Sequence, residues 1–349
     1  MNVQAAARIV ALRPCIEALV VRSCLNPEAT NKVDENDNKL LMILKQLSSP
    51  FDWSPNEKVT GTQQQEYACV KGISRSSYIR GLEEYRTAEM LRIPLHEIAL
   101  MVKLIGLGSI GDFLAKAIEP PPIDSIIEAE VLLRDMSALD SNSELTELGR
   151  ILARLPIEPV LGKTLILATA CGIGELLATI SAASSFATPY IPPDRTTSKL
   201  SSQQRSFSGN RFSDHIALIC VYNRWCEAFD QDTIAEKDFC ERFSLNSTVL
   251  RMIRVAKRQL TDTLISCGFS ESLFIPLAVS NREPDSNLDL ILSLLVYALY
   301  PNVCHYRDKR RVYTLEQATA LMSKQSVNTP FHSSDIIKFP SPLFVFSEK

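Results

Sequence analysis

From Leu82 to Leu299 the apolar residues recur three and four positions apart, and after Leu299 they do not. A helix turns every 3.6 residues, so this spacing gathers apolar side chains on one face that must be buried. Leu95, Ile98, Ala99, Val102 and Ile105 form one such face. Ile123, Ile126, Ile127 and Val131 form another, opened by Pro122 and by Asp124, which favours the positive end of the helix dipole. A short helix is expected over Leu148–Leu155, stopped by Pro156 and Pro159. Leu161–Ser184 reads as one long helix kinked at Gly172 and Gly174. Helical character continues over Asp214–Phe229, Phe239–Phe243 and Val249–Cys267, with Gly268 as a stop. Four β-like runs follow: Val303–Tyr306, Arg311–Thr314, Ala318–Val327 and Leu343–Phe346. The expected fold class is mainly α, with a small β part at the end.

Upstream the pattern is weaker. Ala5–Cys24 and Lys39–Leu47 read as helices, and Ser48–Ser49–Pro50, Ser54–Pro55, Gly61 and Gln63–Gln65 read as a linker. The chain of 349 residues suggests about two or three compact units, and its 46% hydrophobic content supports a sizeable core. A net charge of −3 means that any nucleic-acid surface must be a local patch. Nine cysteines without a C-x-x-C pair fit reduced thiols rather than a zinc site. The N-terminus does not read as a signal peptide, and the run Leu288–Leu299, broken by Asp289 and Ser293, is too short to span a bilayer. These features lead to the expectation of a soluble protein in the nucleus, the cytoplasm or both, with no membrane partner.

Two stretches imitate nucleotide sites. Gly106-Leu-Gly108-Ser-Ile-Gly111 satisfies G-x-G-x-x-G by letter, but helix periodicity precedes it where a strand is required. A tight turn between two small helices is the better reading. Gly162-Lys163-Thr164 resembles the end of a P-loop, but Ile157 stands where the loop needs glycine, and Pro156 and Pro159 exclude the strand. Lys163 is therefore expected at the surface or as a backbone-phosphate contact. Asp214-His215 is expected to make structural hydrogen bonds. Glu128, Glu130, Asp135, Asp140, Glu144 and Glu147 are expected to form a solvated acidic face rather than a metal cage. No catalytic or metal residues are assigned.

Several motifs, in order, resemble the DEAH-box RNA helicases, most closely the RNA helicase A (maleless) group. Ser74-Arg75 with Leu82-Glu83-Glu84-Tyr85 is similar to the end of the second motor lobe. Arg92–Ile98, Phe113–Glu119 with the three prolines that follow, and Glu144–Arg150 resemble the winged helix. Ser208-Gly-Asn-Arg-Phe-Ser-Asp-His215 resembles a signature of the ratchet-like helicase-associated domain. Leu299–Val303 and Pro340–Phe346 resemble the OB-like domain. The resemblance implies five parts. Residues 1–47 are a helical segment similar to the family's C-terminal tail, and 48–75 a linker. Residues 76–159 hold the end of the second motor lobe and the winged helix, 160–298 the ratchet-like helical domain, and 299–349 a truncated OB-like domain. A tail-like piece ahead of a middle piece suggests a join between two gene copies, either a real fusion or a gene-model artefact.

The family hydrolyses ATP with Mg to unwind RNA, yet neither a Walker A loop nor a D-E-x-H box occurs in these 349 residues. The chain is thus expected to hold no cofactor and, alone, no ATPase activity. The resemblance implies a channel for single-stranded RNA, gripped through phosphates and bases. The candidates are Asn210, Arg211, Lys324, Gln325, Ser326 and Asn328. Arg211 has an equal alternative as a buried ion pair to Asp214, and Arg307, Lys309, Arg310 and Arg311 form a second basic cluster that also suits a solvated hairpin. Ser323, Phe243-Ser244 and Val160 stand where the family carries histidine or basic residues. Beside RNA, the partners implied are helicase motor lobes or activator proteins. A protein-interaction module and a non-functional fragment are the rival readings.

Overall fold

The computed structural model describes residues 88–193, 199–315, 319–330 and 339–347. The expected tail-like segment, the linker, the helices over Ala5–Cys24 and Lys39–Leu47, and the stretch Ser74–Tyr85 lie outside these residues. The described chain is mainly helical with a small antiparallel sheet, and it falls into two compact units.

The smaller unit takes in the described residues up to Asp135, together with Leu139–Glu144. Its helices are α1 (His96–Ile105), α2 (Ile110–Leu114) and α3 (Ile123–Asp135), and α3 packs on both α1 and α2. Gly106 ends α1 in the left-handed conformation, φ 74°, and Ser109 Oγ caps α2 by accepting the Asp112 N–H at 3.1 Å. The G-x-G-x-x-G letters are therefore a turn between two small helices, as their local chemistry indicates.

Helix α3 corrects the expected face. Ile126, Ala129 and Leu133 are buried, whereas Ile123, Ile127 and Val131 are 73%, 53% and 45% exposed. Both stripes are apolar at helical spacing, i, i+3, i+7 for the first and i, i+4, i+8 for the second, so periodicity alone cannot choose between them. Ile126→Ala should cost about 2–4 kcal/mol through a cavity. Ile127→Ala should stay within about 1 kcal/mol, since little is buried there. Urea unfolding of the two variants separates them, and equal losses would show that the buried face is misassigned.

The larger unit holds Met136–Ala138 and the chain from Leu145 on. Its helices are α4 (Glu147–Leu152), α5 (Pro159–Ala170), α6 (Gly174–Ala183), α7 (Ser202–Arg205), α8 (Asp214–Gln231), α9 (Thr233–Phe243), α10 (Ser247–Ser266) and α11 (Ser286–Leu299). Helices α5 and α6 are buried nearly all round and pack on each other; α4 and α11 lie on α5, and α8 and α10 lie on α6. They replace the single helix expected over Leu161–Ser184. Gly172, φ 76°, donates to Thr169 O at 3.0 Å, and the buried Ile173 donates to Ala168 O at 2.9 Å. That pair of bonds ends a helix rather than kinking it. Unbroken apolarity concealed the stop, because both helices are core. Gly268 closes α10 in the same way, its N–H on Ile265 O and that of Phe269 on Leu264 O.

The sheet has strands β1 (Val303–Asp308), β2 (Arg311–Thr314), β3 (Thr319–Leu321) and β4 (Leu343–Val345) in the order β3-β2-β1-β4, all neighbours antiparallel. The run expected as a strand to Val327 ends at Leu321; Ser326 to Pro330 are instead a buried loop. Ser326 Oγ–H and Val327 N–H bond to Asp214, Asn328 Nδ2 to Phe212 O, and the Ser326, Asn328 and Thr329 N–H groups stay within the loop, so no ladder continues.

Candidate nucleic-acid interface

The SGNRFSDH stretch, 208–215, leads into α8 and works as a bracket for two later segments. Its first half holds 281–289. Asn210 N donates to Asn281 O at 3.2 Å, Asn210 Nδ2 to Arg282 O at 3.4 Å, and Asn281 Nδ2 to Phe207 O at 2.7 Å. Arg211 pairs with the Asp289 carboxylate and donates to Glu283 O at 3.2 Å and Asp285 O at 3.4 Å. Its side chain is 13% exposed, so the ion pair that the sequence allowed does form, but with Asp289 and not with Asp214.

The second half holds the loop after β3. Asp214 accepts Ser326 Oγ–H at 2.8 Å and Val327 N–H at 2.7 Å. Asn328 Nδ2 donates to Phe212 O at 2.9 Å, and Lys199 Nζ to Pro330 O at 3.0 Å. Arg205 also donates to Thr329 O. Phe212 sits at φ 49°, a conformation that bulky side chains rarely adopt. Its ring packs edge-on against Phe339, which in turn meets Tyr306 and Phe344, so the helical part and the sheet share an aromatic cluster.

Of the six residues picked from the sequence, Asn210 and Arg211 lie on the bracket and the other four on the loop after β3 that it holds. Asn210 and Lys324 are exposed and Gln325 is half-buried. Ser326 and Asn328 are buried, and Arg211 nearly so, with side chains engaged inside the protein. Arg282 is exposed on the segment that Asn210 holds, and sequence reasoning passed over it. The signal was weak: an arginine between Asn281 and a proline-containing turn, with no periodicity.

The groups around Asp214 are held neutral. Burial lowers the His215 imidazole, with the Asp214 charge opposing. Burial, reinforced by the charges of Asp214 and Cys220, pushes the Tyr190 phenol far up. Burial also pushes the Cys220 thiol up to about 11. Asp214 makes structural bonds, to Ser326 and Val327.

The other candidates resolve differently. Lys163 is only 5% exposed and donates from Nζ to Met136 O at 2.9 Å, which corrects the expected surface charge or phosphate contact. Its helix, α5, is core on every side, and the ammonium reaches a carbonyl at a chain turn. The basic cluster makes a hairpin: Arg311 binds Asp308 at 2.7 and 2.8 Å, Arg310 Nε donates to Met322 O at 2.9 Å, and Arg307 lies over Tyr313. Of the acidic residues, Glu130 pairs with Arg134, Glu144 with Lys103 and Glu147 with Arg150, while Asp140 Oδ1 accepts the N–H groups of Asn142 and Glu144. Among the described residues no group of three or more His, Cys, Asp or Glu side chains is placed to hold a metal ion, and no helix is long and apolar enough to cross a membrane.

A cavity of about 590 Å³ lies elsewhere, lined by Thr233, Glu236, Cys240, Ser244 and Arg251 among others. Its buried carboxylate, Glu236, is held below the usual range by the Arg251 guanidinium against burial, with help from Trp225 Nε1–H at 3.2 Å. Burial pushes Cys240 up to about 11. Arg251 and Trp225 thus satisfy the Glu236 carboxylate inside the protein.

Residues 129–157 match the family described as Helicase associated domain (HA2), winged-helix. The chain is 35% identical over 269 residues to DExH-box ATP-dependent RNA helicase DExH1 of Arabidopsis thaliana, covering 76% of this chain and 26% of that protein. It is 32% identical over 272 residues to ATP-dependent DNA/RNA helicase DHX36 of Homo sapiens, covering 73% and 26%. With ATP-dependent RNA helicase DHX29 of Mus musculus the identity is 29% over 274 residues, covering 77% and 20%. The chain spans about a quarter of the length of the relatives it matches.

Proposed function

We propose that the chain is an accessory region of the DEAH-box helicase type and that it binds single-stranded RNA through the residues that the 208–215 bracket presents. One observation carries this reading. A single short stretch fixes two distant segments, and each offers an exposed cation, Arg282 on one and Lys324 on the other, with Asn210 and Gln325 as polar companions. Phosphates need cations, and exposed bases need hydrogen-bonding side chains beside them. Arg211, Ser326 and Asn328 then support this surface instead of contacting RNA. The ATPase of such helicases lies outside this reading, since no phosphate-gripping loop occurs in the sequence.

Binding to oligo-uridine should be weak and salt-dependent. Each phosphate contact to a single strand contributes about −0.7 to the slope of log K against log salt, so two contacts give roughly −1 to −2. Lys324→Ala and Arg282→Ala should each make the slope shallower by about 0.7. Unchanged slopes in both variants would remove these residues from the surface. Arg211→Ala should instead loosen the fold around α11.

A second reading, protein docking, is favoured by the smaller unit. Ile118 is 94% exposed, and Ile123, Ile127 and Val131 continue an open apolar stripe along α3. A charge-matched pull-down of helicase motor lobes that Ile127→Glu abolishes, with no oligo-uridine binding by the parent, would favour docking.

A further inference from the structure

We propose that Asp214 is a positioning residue for RNA, a latch that holds the 323–330 loop and so fixes where Lys324 stands. The inference rests on the RNA reading above and deepens it. Asp214 is exposed at the first position of α8, on the very bracket that presents Asn210 and Arg282. A carboxylate there repels phosphates, so its presence on a phosphate-binding surface calls for another role. That role is visible in its contacts: Oδ2 accepts from Ser326 Oγ at 2.8 Å and Oδ1 from Val327 N at 2.7 Å.

The position of those two bonds matters. Asn328, Arg205 and Lys199 hold the far half of the loop, through Phe212 O, Thr329 O and Pro330 O respectively. Thr329 Oγ1 closes it on Ser323 O. Lys324 and Gln325 are exposed or half-buried, and the turn around them has only local bonds, Gln325 N to Ser323 Oγ and Ser326 N to Ser323 O, both 3.2 Å. On the C-terminal side of Lys324 the nearest long-range bonds are those of Asp214, as those between Arg310 and Met322 are on the N-terminal side. Ser326 Oγ also accepts the Asn328 N–H at 3.2 Å, so the same hydroxyl links the latch to the far half. Tyr190 and His215, the titratable neighbours of Asp214, are kept neutral and offer it no competing salt bridge. A loop already held in place needs no ordering when the strand arrives, and preorganisation of this kind raises affinity without a new contact.

The test uses the full chain, labelled oligo-uridine and fluorescence anisotropy at low salt. Asp214→Ala should weaken binding about threefold to tenfold, the range of coupling expected for residues joined by hydrogen bonds. Asp214→Asn should bind as tightly as the parent or tighter. Its Oδ1 still accepts from Val327, its Nδ2 can donate to Ser326 Oγ, and the repulsive charge is gone. Lys324→Ala should weaken the parent several-fold and the Asp214→Ala protein hardly at all. Hydrogen exchange should rise over 322–330 in Asp214→Ala while α8 stays protected. If α8 is lost as well, Ser326→Ala decides, since it removes one latch bond without touching the helix, and unchanged binding there overturns the proposal. Tighter binding by Asp214→Ala, as loss of repulsion alone would give, overturns it too. So does an equal effect of Lys324→Ala in both backgrounds. A parent that does not bind oligo-uridine removes the RNA reading and the proposal together, whereas a binding parent with an unaffected Asp214→Ala removes the proposal alone.

Discussion

Gly209→Ala is expected to destabilise the larger unit by more than about 4 kcal/mol, a size reserved for a clash that cannot relax. A Cβ at this position would lie 2.0 Å from Asn281 O and 2.7 Å from Asn281 C. Both atoms are backbone, so no flexible side-chain end can move aside. The residue also sits at φ 54°, ψ −128°, outside the regions open to L side chains. Separating the strands of chain to make room would break Asn210 N to Asn281 O and Asn281 Nδ2 to Phe207 O, the bonds that seat 281–289 on the bracket. Arg211 would then lose Glu283 O, Asp285 O and Asp289 as partners. Urea unfolding gives the loss directly, and hydrogen exchange should show it centred on 207–214 and 280–289. A variant within about 1 kcal/mol of the parent would mean that this close approach does not hold the segments together.

The second large effect is expected in the core, at the ion pair between Glu175 in the first turn of α6 and Lys257 in α10. Their side chains are 7% and 13% exposed, and the Lys257 ammonium lies 4.9 Å from the centre of the Tyr222 ring. Removing either partner leaves a charge in a site largely shut off from water. Glu175→Ala and Lys257→Ala should therefore each cost about 3–5 kcal/mol. The pair itself is a poor source of stability, because Glu175 Oε2 is buried without a hydrogen-bond partner. Glu175→Leu combined with Lys257→Met should thus be neutral or stabilising by about 1–4 kcal/mol. Denaturation of the two single variants and the double variant decides the matter. A double variant as unstable as the sum of the singles would show that the charges, and not their desolvation, carry the packing of α6 on α10.

What the sequence settled by itself was local. The stop at Gly268 and the turn at Gly106–Gly111 were legible because each depends on bonds within one turn of chain. Helix identity over Asp214–Phe229 and Val249–Cys267 followed from apolar spacing, and the structure runs the first on to Gln231 and the second from Ser247 to Ser266. The resemblance to DEAH-box helicases was equally legible, since motifs in order survive without any knowledge of contacts.

Tertiary structure decided everything that needed a partner. Two apolar stripes run along α3, and only packing on α1 and α2 chose Ile126, Ala129 and Leu133 over Ile123, Ile127 and Val131. Lys163 reads as a surface charge until a carbonyl 27 residues away receives it in the core. Arg211 and Asp214 are neighbours of opposite sign, yet they turn to partners 78 and 112 residues further on. A charged side chain declares in the sequence that it needs a counterpart. Which counterpart it finds depends on the carbonyls and carboxylates that the fold brings within 3 Å, and separation along the chain holds no information about that.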